Sequence, residues 1–164
     1  MAKSSGRSWS AFFLQSLWAF IFVVAMLAVL ETAISTSIVV ALGASVFIVF
    51  ALPRNACAQP KNIILSYILG IACGLAGHFI FLEGRLGSLG NGWELMTWLA
   101  CGLAVGLSVL VMSVSKVEHP PAAATALGVA LIGFDLLQIL FILGFTVCLS
   151  LVAWALRSRL VNLF

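Results

Sequence analysis

The chain has 164 residues, 63% of them apolar and only 8% charged, with a mean hydropathy of +1.23. A soluble domain carries charge on about a quarter of its residues, so a water-surfaced globule is excluded and the outside of the fold must face lipid. The net charge of +3 arises from Lys and Arg residues at the ends of apolar runs. That placement speaks for membrane topology and against a nucleic-acid partner.

Lys3 and Arg7 precede the first apolar run, Trp9–Leu30, whose 22 residues exceed the roughly 7–15 of a signal-peptide core. With no clear small-x-small cleavage site after it, a retained first helix is expected. Ala33–Leu52, Ile63–Leu82, Trp93–Ser115 and Leu136–Leu156 also approach the length of about 20 residues that a spanning helix needs. Ala122–Gly133 is shorter: its twelve residues would cover about 18 Å of a core roughly 30 Å thick. It follows Glu118-His119-Pro120-Pro121, which cannot continue a regular helix from the segment before. The expected fold is all-α: one polytopic transmembrane bundle over residues 1–164, with about six membrane segments and halves near 8–82 and 93–160.

Charge placement orients the segments. With the N-terminus inside, Lys3, Arg7, Arg54, Lys61 and Lys116 are all cytoplasmic, and the Glu83–Glu94 loop is outside. Arg157 and Arg159 return inside only if the short segment crosses. Six crossings with both termini cytoplasmic, in a bacterial inner (plasma) membrane, is the expectation. The alternative is four full helices plus two broken elements.

Each half offers a long segment, one rich in Gly, Ala, Ser or Thr, and another long segment. Ala41-Leu42-Gly43 recurs as Ala126-Leu127-Gly128, an offset of 85 that also maps Trp9–Leu30 onto Glu94–Ser115. A second register, offset 80, pairs Gly43-Ala44-Ser45 with Ala123-Ala124-Thr125. Three crossings per half would oppose the halves, giving an inverted 3+3 repeat of the kind common among transporters.

The strongest local feature is His119-Pro120-Pro121 before Ala122-Ala123-Ala124-Thr125. Two prolines leave upstream carbonyls without helical donors. Unpaired backbone at membrane depth is costly unless it lines a wet cavity or is buried in protein. A helix starting there also presents free N–H groups and a positive dipole end, which favour an anion. The plainer reading is an interfacial loop in which the prolines end one helix and start another.

This stretch, His119-Pro-Pro-Ala-Ala-Ala-Thr125-Ala-Leu, resembles the signature of the HPP family of integral membrane proteins. Gly43-Ala44-Ser45 and Gln59-Pro60-Lys61-Asn62 are similar to that family's other recurring stretches, in the right order, and the likeness covers roughly Thr32 to Ala155. The family pattern usually has Gly where this chain has Ala123, and commonly Gly-Gly-His where it has Leu65-Ser66-Tyr67. No role of that histidine carries over. The resemblance implies a small polytopic protein, some plant and cyanobacterial members being linked to nitrite transport. It marks His119, Pro120, Pro121, Thr125, Ser45, Gln59, Pro60 and Asn62, with Lys61 keeping the charge of the family's frequent Arg.

His78 lies inside the third segment, where an ionisable side chain is costly and often functional. It shares a face with Gly70 and Gly74. Gly70-x-x-x-Gly74 is a close-packing pattern that Gly102-x-x-x-Gly106 repeats in the next helix. The plainer reading of His78 is a hydrogen bond to a neighbouring helix near the outer end. Glu31, Asp135, Glu83 and Glu94 fit solvated outer boundaries, where carboxylates repel anions unless Arg85 pairs with them. Most of the five Trp sit near segment ends as interfacial anchors. Cys57, Cys73, Cys101 and Cys148 form no Cys-x-x-Cys pair and fit buried thiols.

No Ser-His-Asp set with a supporting motif, phosphate loop or His-Glu-x-x-His is present. The chain is therefore expected to be neither an enzyme nor ATP-coupled, and to need no cofactor or metal. The expected function is a transporter or channel for a small solute, foremost a small inorganic anion such as nitrite. Candidate substrate or pore residues are His119, Pro120, Pro121, Thr125, Ser45, Gln59, Lys61, Asn62 and His78. Besides the lipid bilayer and that solute, a homo-oligomer is expected through the Gly-x-x-x-Gly faces. The competing class is a non-transporting scaffold or partner subunit. A dry, tightly packed His-Pro-Pro region would favour the scaffold, and a water-filled vestibule would favour transport.

Overall fold

The computed structural model describes residues 9–30, 36–83 and 93–164. Lys3, Arg7, Glu31 and Arg85 lie outside them. Six α-helices follow one another: α1 Trp9–Leu30, α2 Thr36–Ala51, α3 Pro60–His78, α4 Trp93–Ser115, α5 Pro120–Ile132 and α6 Leu136–Leu156. A 3-10 turn, Ala56–Ala58, precedes α3, and a π-helical turn, Phe79–Glu83, extends it. Four of the helices, the third counted with its π turn, are long and apolar enough to cross a membrane.

The expected second segment, Ala33–Leu52, begins outside the described residues and is a helix from Thr36 within them. α2 has 16 residues, about 24 Å. Pro53 restricts Leu52 and ends the helix. Six helices, two of them short, match the expected count of about six segments, and each half has the order long, short, long.

Local sequence explains the other boundaries. After α4, Val117 N–H bonds to Met112 O at 3.0 Å and Lys116 N–H to Ser113 O at 3.2 Å. This is a Schellman closure with Lys116, at φ 53, in the left-handed position usually given to glycine. α5 opens with two prolines, the residues that tolerate a first turn without N–H donors. Asp135 caps α6, its carboxylate accepting from Gln138 N–H at 3.1 Å.

α3 is the centre of the bundle and packs most extensively on α5. A side chain at Gly70 would overlap Ala122 O, one at Gly74 would overlap Ala126 O, and His78 bonds to Ala130 O. The numbering offset is 52 at all three places (122 − 70, 126 − 74, 130 − 78). The helices are therefore parallel and in register, with glycines letting backbone meet backbone. By that register the start of α5 is level with Tyr67 and Ile68, about 10–12 Å past the start of α3.

On its other side α3 meets α4, where Gly77 abuts Ala100 and Ala104. The expected close contact at Gly102 and Gly106 is not made among the described residues, none of which comes within 4 Å of either missing Cβ. The alanine face of α4 packs inward and the glycine face points away.

α1 lies at the edge against α2. Its one buried polar side chain, Gln15, clamps the chain after α6: Nε2 donates to Val161 O at 2.9 Å and Oε1 accepts from Val161 N–H at 3.1 Å. Gln15 Nε2 also donates to Phe50 O.

Candidate functional site

The level at which α5 begins is also where the bundle buries its polar groups. His119, Ser45, Tyr67 and Thr125 are at most 1% exposed, although they come from three separate stretches of chain. His119 is the residue before α5, Ser45 comes from α2, Tyr67 from α3 and Thr125 from the second turn of α5. His119 Nδ1 lies 2.7 Å from Cys57 O, and Nε2 lies 2.7 Å from Ser45 Oγ. Ser45 Oγ is 2.6 Å from the Tyr67 hydroxyl, which also bonds to Thr125. Thr125 Oγ1 also lies 3.3 Å from Pro121 O, so its one proton is shared between that carbonyl and the Tyr67 oxygen.

These partners fix the direction of the bonds. A carbonyl only accepts, so His119 carries its proton on Nδ1 and gives it to Cys57 O. In the neutral ring Nε2 is then the acceptor and Ser45 donates to it. Having spent its one proton, Ser45 must accept from Tyr67. Donation runs one way, Tyr67 to Ser45 to His119 to the Cys57 carbonyl. A proton added at Nε2 would force Ser45 to turn and reverse the chain.

Of the sequence-derived candidates, the structure brings Ser45, His119, Pro121 and Thr125 together. Pro120 is on the exposed side of the same turn. Gln59, Lys61 and Asn62 form the start of α3 instead: Gln59 and Lys61 are exposed, and Asn62 Nδ2 donates to Ala56 O at 2.9 Å. Nearby, burial and then the Glu118 carboxylate push the Cys57 thiol above its ordinary value.

The expectation of free N–H groups at the start of α5 needs correcting. Pro120 and Pro121 have none, and Ala122 N–H donates to His119 O at 3.0 Å. The prolines that suit the helix start remove the donors an anion would use, leaving only the dipole and the hydroxyls.

Sequence reasoning missed two parts of the cluster. Tyr67 is the only tyrosine of the chain and stands where the family pattern has histidine, one turn before Gly70. That oddity was its signal. The Cys57 carbonyl had none, because a backbone acceptor leaves no mark on residue type. Among the described residues, the buried hydroxyls of Ser66 and Ser150 have no hydrogen-bond partner.

His78 lies at the far end of the α3–α5 pair, so it does not join His119. Its Nδ1 is 2.8 Å from Ala130 O and its Nε2 is 3.4 Å from Glu83 Oε1. Glu83, expected as a plain boundary charge, is thus a histidine partner. A cleft of about 450 Å³ opens there, lined by His78, Leu82, Glu83, Thr97, Leu131 and Ile132.

Apolar helices around a buried hydroxyl–imidazole cluster define an integral protein of the lipid bilayer. The sequence profile of the HPP transmembrane region matches residues 4–162, and the chain belongs to the HPP family. Half of the chain, 51%, is 34% identical to a transmembrane protein of Dictyostelium discoideum, covering 26% of that protein. A second transmembrane protein of the same organism is 31% identical over 51% of the chain and 24% of its own length. The chain thus spans about a quarter of the relatives it matches. No solved structure matches it.

Proposed function

We propose that the protein is a membrane transporter for a small polar solute, with the Ser45–Tyr67–His119–Thr125 cluster as the place where solute is coordinated or passage gated. The observation that carries this reading is the cluster's position. Four polar side chains are buried where a short helix begins some 10–12 Å inside the bundle, and polar groups at such depth are expensive and tend to be retained for function. The unpartnered hydroxyls of Ser66 and Ser150 favour the same reading, because a static core normally pairs what it buries.

A small inorganic anion such as nitrite is the first solute to test. The dipole of α5 supports it, as do three hydroxyls that could turn from their present partners toward a solute. Arg54, Lys61, Lys116, Arg157 and Arg159 all fall at the Pro60 end of the alternating helices, and Glu83, Glu94 and Asp135 at the other. The tendency for positive charge to lie inside supports an orientation with both termini and the His119 cluster toward the cytoplasm.

A second reading, a non-transporting scaffold, is favoured by the dryness of the His-Pro-Pro region, where His119 is 1% exposed and both ring nitrogens are occupied. Flux of nitrite, nitrate and formate into proteoliposomes separates the two. Transport predicts flux of at least one solute above empty vesicles, lost in His119→Ala. No flux for any of them sinks the anion reading and leaves the scaffold.

A further inference from the structure

Of the four long helices, α1 is the least enclosed. It packs on α2 and runs antiparallel to α6, Gln15 meeting Val161 and Phe22 meeting Phe145. Between α1 and α6 lies a furrow with two unlike parts. The deeper part holds about 500 Å³ and is almost wholly apolar. Phe22 and Phe145, with ring centroids 5.7 Å apart, line its inner wall, and Ala25, Gly144 and Cys148 are small enough to leave it open. Nothing among the described residues crowds the Cβ that Gly144 lacks. The other part, toward the basic end of the bundle, holds about 340 Å³, and its lining includes Ser10, Gln15, Trp18 and Arg159. Both parts lie on one seam. Gln15, Trp18, Phe22 and Ala25 follow one face of α1, and Phe141, Phe145, Cys148 and Leu156 follow one face of α6.

Charge decides what fits this furrow. Arg159 is exposed, and among the described residues no carboxylate pairs with it; the ion contact found there joins His78 and Glu83 at the opposite end. Arg54, Lys61, Lys116 and Arg157 stand at the same end as Arg159, with Glu118 the one described acid among them. A second copy of this chain would sit the same way up in the membrane and bring its own basic end against this one, a contact that like charges oppose. A lipid with an acidic headgroup brings the opposite charge. Its phosphate meets Arg159 at the membrane surface, and its acyl chain supplies the apolar occupant of the deeper part. The reach agrees: Cys148 lies two helical turns before Leu156, about 12 Å, within the roughly 15 Å of hydrocarbon that one leaflet spans.

We infer that the α1–α6 furrow is a binding site for an anionic glycerophospholipid, with the phosphate on Arg159 and one acyl chain laid over Phe22, Gly144 and Phe145. The Gln15 amide is spent on Val161 and Phe50 O, so the charge comes from Arg159, with the Trp18 indole beside it. The furrow shares no residue with the His119 cluster, and the inference does not rest on the transport reading.

The test titrates the delipidated full chain in detergent with an equal mixture of phosphatidylglycerol and phosphatidylcholine of the same acyl chains, and counts bound lipid by native mass spectrometry. Wild type is expected to take phosphatidylglycerol over phosphatidylcholine by about five-fold or more in the first bound position, the worth of one basic side chain at a lipid surface. Arg159→Gln is expected to abolish that preference, while Arg54→Gln, outside the furrow, keeps it. Gly144→Phe fills the furrow from α6 and Ala25→Phe fills it from α1, neither touching the charge. Each, with wild-type helical circular dichroism, is expected to weaken the first binding of both lipids. A wild type without preference, an Arg159→Gln variant that keeps it, or furrow-filling variants that bind as before overturns the proposal. So does a protein dimer that takes up no lipid and comes apart in Gly144→Phe, which would put a second copy in the furrow.

Discussion

The two histidines sit at opposite ends of one parallel helix pair, and each gives its Nδ1 proton to a backbone carbonyl. What they meet on the other nitrogen differs. His119 meets neutral hydroxyls, fully buried, and forms a closed chain of donors and acceptors. His78 meets a half-exposed carboxylate beside a cleft. The same side chain is thus a satisfied member of a core at one end and a contact at the lip of a cleft at the other. In a bilayer the partner decides which, because lipid supplies neither donors nor screening.

The contrast is sharpest if the ends are broken separately. His119→Leu removes the short acceptor of Ser45 and the donor to Cys57 O, breaking the two shortest bonds of the imidazole at once. A loss of about 3 kcal/mol is expected, read as reversible unfolding in lipid bicelles. His78→Gln keeps a donor to Ala130 O and should cost less than about 1 kcal/mol. Equal losses would erase the distinction between the two ends.

Between the ends, the register of α3 on α5 can be tested by size alone. Gly74→Val would drive a side chain into Ala126 O and Val129, costing about 2–3 kcal/mol by the same measurement. Gly102→Val, with open space around its Cβ, should be near neutral. A smaller step tests the donor order at His119. Tyr67→Phe removes the hydroxyl feeding Ser45 but leaves Ser45 free to donate to His119, so about 1 kcal/mol is expected. A loss as large as that of His119→Leu would contradict the assigned direction.

The smallest effect belongs to Asp135, near the His78 end. Hydrogen bonds from the Gln138 side chain and backbone hold its carboxylate below the ordinary value. A carboxylate depressed on folding stabilises above its unfolded value, and the gain fades as pH falls through the folded one. Asp135→Asn should therefore flatten the acid limb of stability slightly, seen as a smaller fall in melting temperature between about pH 5 and about pH 3.

Helix number, their apolar surfaces and the short α5 were legible because lipid imposes length and hydropathy directly on sequence. Gly70 and Gly102 look alike in sequence. Only the register separates the glycine that meets a carbonyl from the one that meets nothing. His119, Ser45 and Thr125 were legible from motif and the cost of polarity, whereas their closing by Tyr67 and Cys57 O depended on folding. The helix after Pro121 was read as presenting free N–H groups, and the structure instead engages Ala122 N–H with His119 O.

The central claim is that buried polarity around His119 serves passage of a solute. Proteoliposomes containing the wild-type chain, His119→Ala and empty controls, assayed side by side for nitrite, nitrate and formate uptake, test it most directly. The account predicts wild-type flux above the empty vesicles for at least one solute and background flux for His119→Ala reconstituted at equal, folded amounts. Wild-type vesicles no leakier than empty ones to all three, or a His119→Ala variant that transports as well as wild type, would contradict it.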